Sequence, residues 1–291
     1  MSRSSGRRLT MRTADLFYWI KERHSIFTKK EAGAPKPWTS DGILQAYRFC
    51  NVYREEDSVT RWISNNWREP HTDHPDLWFA MVVARLINWP HTLTLMDLER
   101  EILNWHPEEF VNVVHIVQNN GGKAYSGAYI VSTNGHSMGK AEYLAQHVLN
   151  PLWANRDKIR PRQGDTLDSF FRRLSCFNGL GSFMSGQVIA DVKYAGELFK
   201  APDWWTWATP GPGSKRGLNR VCRRPVDASW PGPTWRQSLD CLLGQVEPLI
   251  KEARMPDLHA QDLQNCLCEF DKYERTRLGE GRPRSTYPGS R

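Results

Sequence analysis

An all-α fold is what this sequence predicts, and three observations carry it. Segments with apolar residues at three- and four-residue steps recur along the chain. Turns rich in Gly and Pro separate them. Only one stretch, YSGAYIV at 125–131, has the look of a strand, and it reads equally as a loop entering a helix with Gly135 as a breaker; a lone strand has nothing to pair with.

The elements follow in order. The first residues, MSRSSGRRLTMR, lack the apolar core of a signal peptide and read as a disordered basic arm over 1–12. DLFYWIKER at 15–23 is an amphipathic helix. Thr39, Ser40 or Asp41 then caps GILQAYRFCNVYREED, predicted as one helix over 42–57. Ile43, Leu44, Tyr47 and Val52 give it an apolar side, while Arg48, Asn51, Arg54/Glu55 and Asp57/Ser58 recur along another. Such a row is ordinarily a salt-bridged solvent face; the interleaved Asn and the nearness of Trp38 give the alternative of a concave polar site.

A helix from Asp57 to Trp67 leads to a loop holding His71, Asp73, His74 and Asp76. With prolines on both sides and no third distant ligand, it reads as a polar loop rather than a metal site. LWFAMVVARLIN at 77–88 is a buried helix, too short to cross a bilayer. Helices are predicted over 94–104, 108–119, 139–150, 166–177, 235–254 and 258–278. The tail GEGRPRSTYPGSR at 279–291 is too rich in Gly, Pro and Arg to be regular. A single helical domain spanning 13–278 accounts for the whole.

The chain is read as organised around 174–221. Gly179-Leu180-Gly181 separates Phe170/Leu174/Phe177 from Phe183/Val188/Ile189/Val192, the pattern of a helix-hairpin-helix over 170–195. Its free N–H groups would hold a phosphate without reading a base; a plain helix–helix turn with a glycine cap explains the same residues. The glycine-rich PGPGSKRGLNRV that follows adds Ser214, Lys215, Arg216, Asn219 and Arg220, so Gly179, Gly181 and these five are the candidate DNA contacts.

The net charge of +7, from 39 Lys and Arg against 32 Asp and Glu, is clustered at 2–12, 156–173, 215–224 and 275–291. Clustering of this kind suits a polyanionic partner, although charge that merely keeps a protein soluble is the plain alternative. Thirteen tryptophans supply core and, equally, stacking platforms for bases. Six cysteines without a C-x-x-C pair point to reduced thiols and a cytoplasmic, reducing compartment.

The chemistry that is missing narrows the class. There is no G-x-x-x-x-G-K-[ST], no G-x-G-x-x-G on a strand, no H-E-x-x-H, and no H-x-E with P-C-x-x-C. A base-excision enzyme would need an Asp about twenty residues beyond the hairpin, where this chain has Pro-Gly-Ser-Lys-Arg-Gly. In NCLCEFDKYER, by contrast, Glu269, Lys272 and Tyr273 share a helix face, a carboxylate beside an ammonium and a phenol. An ordinary surface ion pair looks the same.

PWTSDGILQAYRFCNVYREED, NGLGSFMSGQVIADVKY, PGPGSKRGLNRV and LQNCLCEFDKYERTRLGEGRPR together resemble the alpha-glutamyl/putrescinyl thymine pyrophosphorylase family, the amino acid:DNA transferases of bacteriophages. The sequence is also similar to the helical domain of phage 5-hydroxymethyluracil DNA kinases; a fused kinase would add a phosphate-loop domain, for which this chain lacks motif and length. The resemblance implies a fold akin to helix-hairpin-helix DNA glycosylases, a base flipped from the stack, and exchange of the pyrophosphate on a 5-pyrophosphoryloxymethyl base for an amine.

Matched to that reaction, Arg48, Asn51, Arg54, Arg282 and Arg284 are the candidate pyrophosphate ligands, since guanidinium suits a bidentate anion. Glu269 or Asp57 would take the amine's proton, with Lys272 and Tyr273 completing the catalytic set. No metal or other cofactor is expected, a divalent ion on pyrophosphate being allowed. The expected partners are DNA with modified thymine and a small-molecule amine or amino acid, with no membrane, and association with a 5-hydroxymethyluracil DNA kinase is compatible with the resemblance. The competing readings are a non-catalytic DNA-binding module and a glycosylase-like enzyme for modified thymine.

Overall fold

The computed structural model describes residues 12–127 and 132–287, and among these residues the fold is helical, with one isolated antiparallel bridge, Tyr47 to Thr286, in place of any sheet. Of the strand-like segment, 128–131 lies outside the described residues, as does the basic arm up to residue 11. Where one domain is expected over 13–278, the described residues pack as two compact units, the first from 12–56 with 208–287 and the second from within 57–207.

Helix α1 (Thr13–Glu31) opens the first unit and buries Leu16, Trp19, Ile20 and Ile26. It outruns the expected 15–23 because it ends in Lys29 and Lys30, where cations complement the helix dipole. Asp41 caps α2 (Gly42–Ala46), its carboxylate accepting from the Ile43 and Leu44 amides at 2.9 and 3.0 Å. The helix stops there. The continuous helix expected over 42–57 is wrong from Tyr47 onward, because tertiary partners take its amides instead: Arg48 N–H donates to the Ser285 carbonyl and Cys50 N–H to the Glu269 carboxylate. Only Arg54–Glu56 closes one further turn, of 3-10 type.

The second unit begins with α3 (Ser58–Ile63), prolonged by a π segment, Ser64–Arg68, and a 3-10 turn, Glu69–His71. Helix α4 (Leu77–Ile87) is buried at every position, Arg85 included, as its almost wholly apolar run predicts. α5 (Pro90–Thr94), a π turn at Leu98–Ile102 and α6 (Pro107–Asn119) follow. A compound helix then joins α7 (Lys140–Tyr143) through a π segment, Leu144–Leu149, to α8 (Asn150–Ala154), with α9 (Arg156–Ile159) after it. α10 (Leu167–Ser175), capped reciprocally by Thr166 and Ser169, and α11 (Ser182–Val192) form the expected pair of helices around Gly179. Arg85 of α4 and Asp191 of α11, both buried, face each other in this unit's core, with Arg85 Nε donating to Asp191 Oδ2 at 2.5 Å.

The chain returns to the first unit with α12 (Pro212–Val221), α13 (Thr234–Glu252) and α14 (Ala260–Arg277). The glycine-rich run that supplies candidate DNA contacts is mostly helix. Its glycines serve packing. A Cβ on Gly217 would sit 2.0 Å from the Leu267 carbonyl oxygen, and one on Gly213 would sit 2.4 Å from Cys268 Sγ, so α12 lies backbone-close against α14. The tail also departs from expectation: Tyr287 N–H donates to the Ala46 carbonyl and Ser285 accepts from Arg48, so 285–287 runs beside 46–48. Each unit has its own apolar core, Trp19, Trp235, Leu242 and Phe270 in the first, Trp78, Phe79, Phe110 and Phe170 in the second. All six cysteines are free thiols, and only Cys222 and Cys266 are buried.

Candidate functional site

Helix α14 organises the first unit electrostatically. It carries four buried acids, Asp262, Glu269, Asp271 and Glu274. Charges withdrawn from water must find partners, or burial costs on the order of several kcal/mol per ion. Each acid here has a set of its own. Asp262 accepts from the Arg54 backbone amide at 3.0 Å and lies 3.1 Å from the ring of His259, the helix's N-cap. Asp271 gathers Arg220, Arg216 and Arg275 at 2.7, 3.3 and 3.4 Å. Glu274 takes Arg12 at 3.0 Å and Arg277 at 2.7 Å.

Glu269 is paired with a lysine rather than with arginines or histidine. Lys272 Nζ donates to both carboxylate oxygens, at 2.7 and 2.8 Å, and the Cys50 amide donates to Oε2 at 3.1 Å. Lys272 keeps 28% of its side chain exposed against 5% for Glu269. Burial works against the Lys272 ammonium, but attraction to Glu269 outweighs it and its pKa is raised, so lysine enters any reaction as a cation. One residue on, Tyr273 donates its hydroxyl to Asp41 Oδ2 at 2.7 Å, and Tyr18 donates to the same oxygen at 3.2 Å. Burial first, then the Asp41 bond and charge, push the Tyr273 phenol upward, so it remains a donor.

Next in sequence to Asp41, Gly42 lines a pocket of about 300 Å³ together with Ile26, Lys36, Trp38, Gln45 and Tyr287. Trp38 and Tyr287 meet edge to face, 6.1 Å between ring centres. The Lys36 ammonium stands 5.2 Å from the Trp38 ring and 5.3 Å from that of Tyr287, and the Arg48 guanidinium 5.3 Å from the latter.

The fold brings together Glu269, Lys272, Tyr273, Arg48, Asn51 and Arg54 in one unit. Glu269 is buried, its carboxylate held by Lys272 and the Cys50 amide. Asn51 is also buried: its amide donates to the Glu56 carbonyl at 2.8 Å, its side-chain oxygen accepts from Arg23, and its carbonyl accepts from Asn265. Arg54 is half-buried, while Arg48, Arg282 and Arg284 are exposed. Asp57 belongs to the second unit, at the N-terminus of α3.

The expected DNA contacts need correction where side chains turn inward. Ser214 is fully buried and accepts from the Gly211 amide at 3.0 Å. Asn219 is buried, donating to the Val226 and Ala228 carbonyls. Arg220 is buried between Asp271 and Glu280, and Arg216 bridges Asp271 and Asp227. These groups hold α12 to α14 and its neighbours; of the five candidate contacts in the run, only Lys215 is exposed. Gly179 and Gly181 belong to the second unit. Gly179 has φ +78° and packs where a Cβ would lie 2.8 Å from Val148, which accounts for glycine without a ligand, whereas Gly181 is exposed with open space where its Cβ would be.

In the loop after α3, Asp76 is bonded twice by Arg160 at 2.9 Å, and His71 faces the Trp67 carbonyl and Glu99. No group of three or more His, Cys, Asp or Glu that could hold a metal ion occurs among the described residues. Sequence reasoning passed over Lys36, Tyr287 and the second role of Asp41. The signal for Lys36 was present in the cation-aromatic pair of KPW; that for Tyr287 was not, since nothing local announces that a Gly/Pro tail returns to residue 46.

Fold and site define a protein that is helical among its described residues, whose helix α14 carries a row of buried, paired acids and, through Tyr273, a bond to Asp41, next in sequence to a residue of an aromatic pocket that Lys36 lines. Residues 10–282 match the family described as the helical domain of 5-hmdU DNA kinase, and the chain belongs to that family. It is 24% identical over 226 residues to a 5-hmdU DNA kinase of Bacillus phage SP10, an alignment covering 70% of this chain and 35% of the relative, so the chain spans about a third of that protein's length. No solved structure matches it.

Proposed function

We propose that this chain acts in thymine hypermodification of DNA, as a transferase that exchanges the pyrophosphate of a 5-pyrophosphoryloxymethyl-deoxyuridine residue for an amine. Family membership supports the substrate class. The chemistry is carried by one observation, the Glu269–Lys272 pair, in which a buried carboxylate is fixed beneath a half-buried ammonium.

In the exchange the exocyclic C–O bond breaks, the electron pair leaves with pyrophosphate, and a C–N bond forms to the amine, which gives up a proton. Lys272 can serve the leaving anion, joined by Arg48, Arg282 and Arg284, whose exposed guanidinium groups match phosphate oxygens. As the ammonium shifts its contacts from Glu269 to pyrophosphate, the carboxylate loses its counter-ion and becomes a stronger base for the amine's proton. Loss of the leaving group is thereby coupled to activation of the base. Tyr273, a donor locked on Asp41, positions that end of the helix.

The test is nucleoside mass spectrometry after mixing the chain with pyrophosphorylated DNA and a pool of amino acids and polyamines. A new thymidine adduct with release of pyrophosphate is expected, and Glu269→Gln should reduce its rate at least 100-fold, on the order of a general-base contribution, with DNA binding kept. Unchanged nucleosides, or a released free base, would overturn the reading. The SP10 relative favours a second one, in which a chain resembling one part of a kinase presents the base without turning it over. That reading expects DNA binding with no adduct from any amine.

A further inference from the structure

We infer that the pocket beside α2 is a docking site for an unstacked pyrimidine base bearing a phosphate or pyrophosphate group, with the ring among Trp38 and Tyr287 and the anion on Lys36 and Arg48. This deepens the proposed function by naming where its modified base rests, and takes only the choice of a pyrimidine from that reading.

The pocket has the size and lining of a small-molecule site, mostly apolar with a few placed polar groups. Its aromatic walls are set by the protein. Trp38 spends its ring N–H on the Ala34 carbonyl at 2.7 Å and its own carbonyl on Lys29, so hydrogen bonds at the indole's edge and backbone anchor it. The floor is apolar, made by buried Ile26 and Leu44. Stacking on an aromatic wall is worth about 1–3 kcal/mol per base and tolerates any base, so specificity must come from the substituent.

The two cations supply it. Among the described residues, neither Lys36 nor Arg48 has a carboxylate partner, and each rests over an aromatic ring instead. This contrasts with α14, where the buried Glu269, Asp271 and Glu274 are each matched by lysine or arginine. Two unneutralised cations converging on one tyrosine ring at the wall of a pocket are arranged for an anion that arrives with a flat ring. Gln45 donates to the Thr39 carbonyl at 2.8 Å, which holds its amide at the rim where a pyrimidine carbonyl or imide edge would come.

The inference is tested by titration calorimetry of the full chain with three probes: 5-phosphooxymethyl-2′-deoxyuridine, 5-hydroxymethyl-2′-deoxyuridine and inorganic pyrophosphate. The phosphorylated nucleoside should bind at least tenfold more tightly than either of the others. Lys36→Ala and Arg48→Ala, both at exposed positions, should each weaken it about tenfold, as loss of a charge-assisted contact does, and Trp38→Phe should keep part of the affinity that Trp38→Ala loses. Circular dichroism confirms that each variant is folded. Absence of binding, pyrophosphate binding as tightly as the nucleoside, or indifference to all four substitutions would overturn the inference. Binding without adduct formation would remove the transferase and leave the pocket; adduct formation that is indifferent to Lys36, Trp38 and Arg48 would remove the pocket and leave the transferase.

Discussion

At the scale of single residues, the acids of α14 show how one charge can serve stability or chemistry depending on its partners. Glu274 is held by Arg12 and Arg277. Burial alone would raise its pKa, but the hydrogen bond and charge of Arg277, with those of Arg12, more than offset this, and the pKa lies below its ordinary 4.5. A carboxyl depressed in the folded state contributes stability that is fully present above its unfolded value and is lost as pH falls through the folded one. Melting temperature should therefore drop steeply on acidification below pH 4.5, and Glu274→Gln should flatten that limb while costing about 1–3 kcal/mol at neutral pH. At Asp165 burial pushes the pKa up, but the bonds from Arg173, the Arg162 amide and Ser169 together outweigh it and the pKa is lowered, which adds a slope of the same sign that the variant leaves untouched. An unaltered pH profile in Glu274→Gln would show that these pairs form equally in the unfolded chain.

At the scale of elements, glycine tells two stories. Gly217 has no room for a methyl group, because the atom it would strike is backbone, the Leu267 carbonyl of α14. Gly217→Ala should separate α12 from α14 and cost about 3 kcal/mol, the upper end for overpacking. Gly244 lies exposed within α13 with open space around it, and Gly244→Ala should add about 0.5–1 kcal/mol by lowering the entropy of the unfolded chain. Urea denaturation reads both, and a neutral Gly217→Ala would mean that the two helices do not pack this closely. The same contrast explains what sequence could reveal. Amphipathic helices such as α6, α13 and α14 were legible because periodicity is a local property, and the cap at Asp41 because its partners lie two and three residues away. The break at Tyr47 was not: apolar spacing over 42–57 fits a helix, and what wins is a set of partners more than 200 residues distant in the chain, Glu269 and Ser285. The pocket was half legible, in Trp38 and Arg48, and half not, since Tyr287 comes from a tail with no periodicity to read.

At the scale of the molecule, the second unit is one uninterrupted segment, 57–207, while the first is assembled from both ends of the chain. The second unit's core, from Ile63 to Trp207, is drawn wholly from that segment, and so are both members of its buried Arg85–Asp191 pair. A segment that supplies its own apolar core and satisfies its own buried charges has the two things a domain needs to fold alone. Expressed by itself, 57–207 should show helical circular dichroism and melt cooperatively. Asp191→Asn in that fragment should cost about 3–5 kcal/mol, because it leaves the Arg85 guanidinium buried against a neutral partner. The first unit has no such option, since α14 acids bind Arg12 from one end of the sequence and Arg277 from the other, and the pocket needs both Trp38 and Tyr287. Cutting the chain at 207 should therefore abolish binding of the phosphorylated nucleoside without unfolding the second unit. A truncated chain that still bound it would place the pocket elsewhere, and a fragment 57–207 without a cooperative melt would show that the core it contains is insufficient.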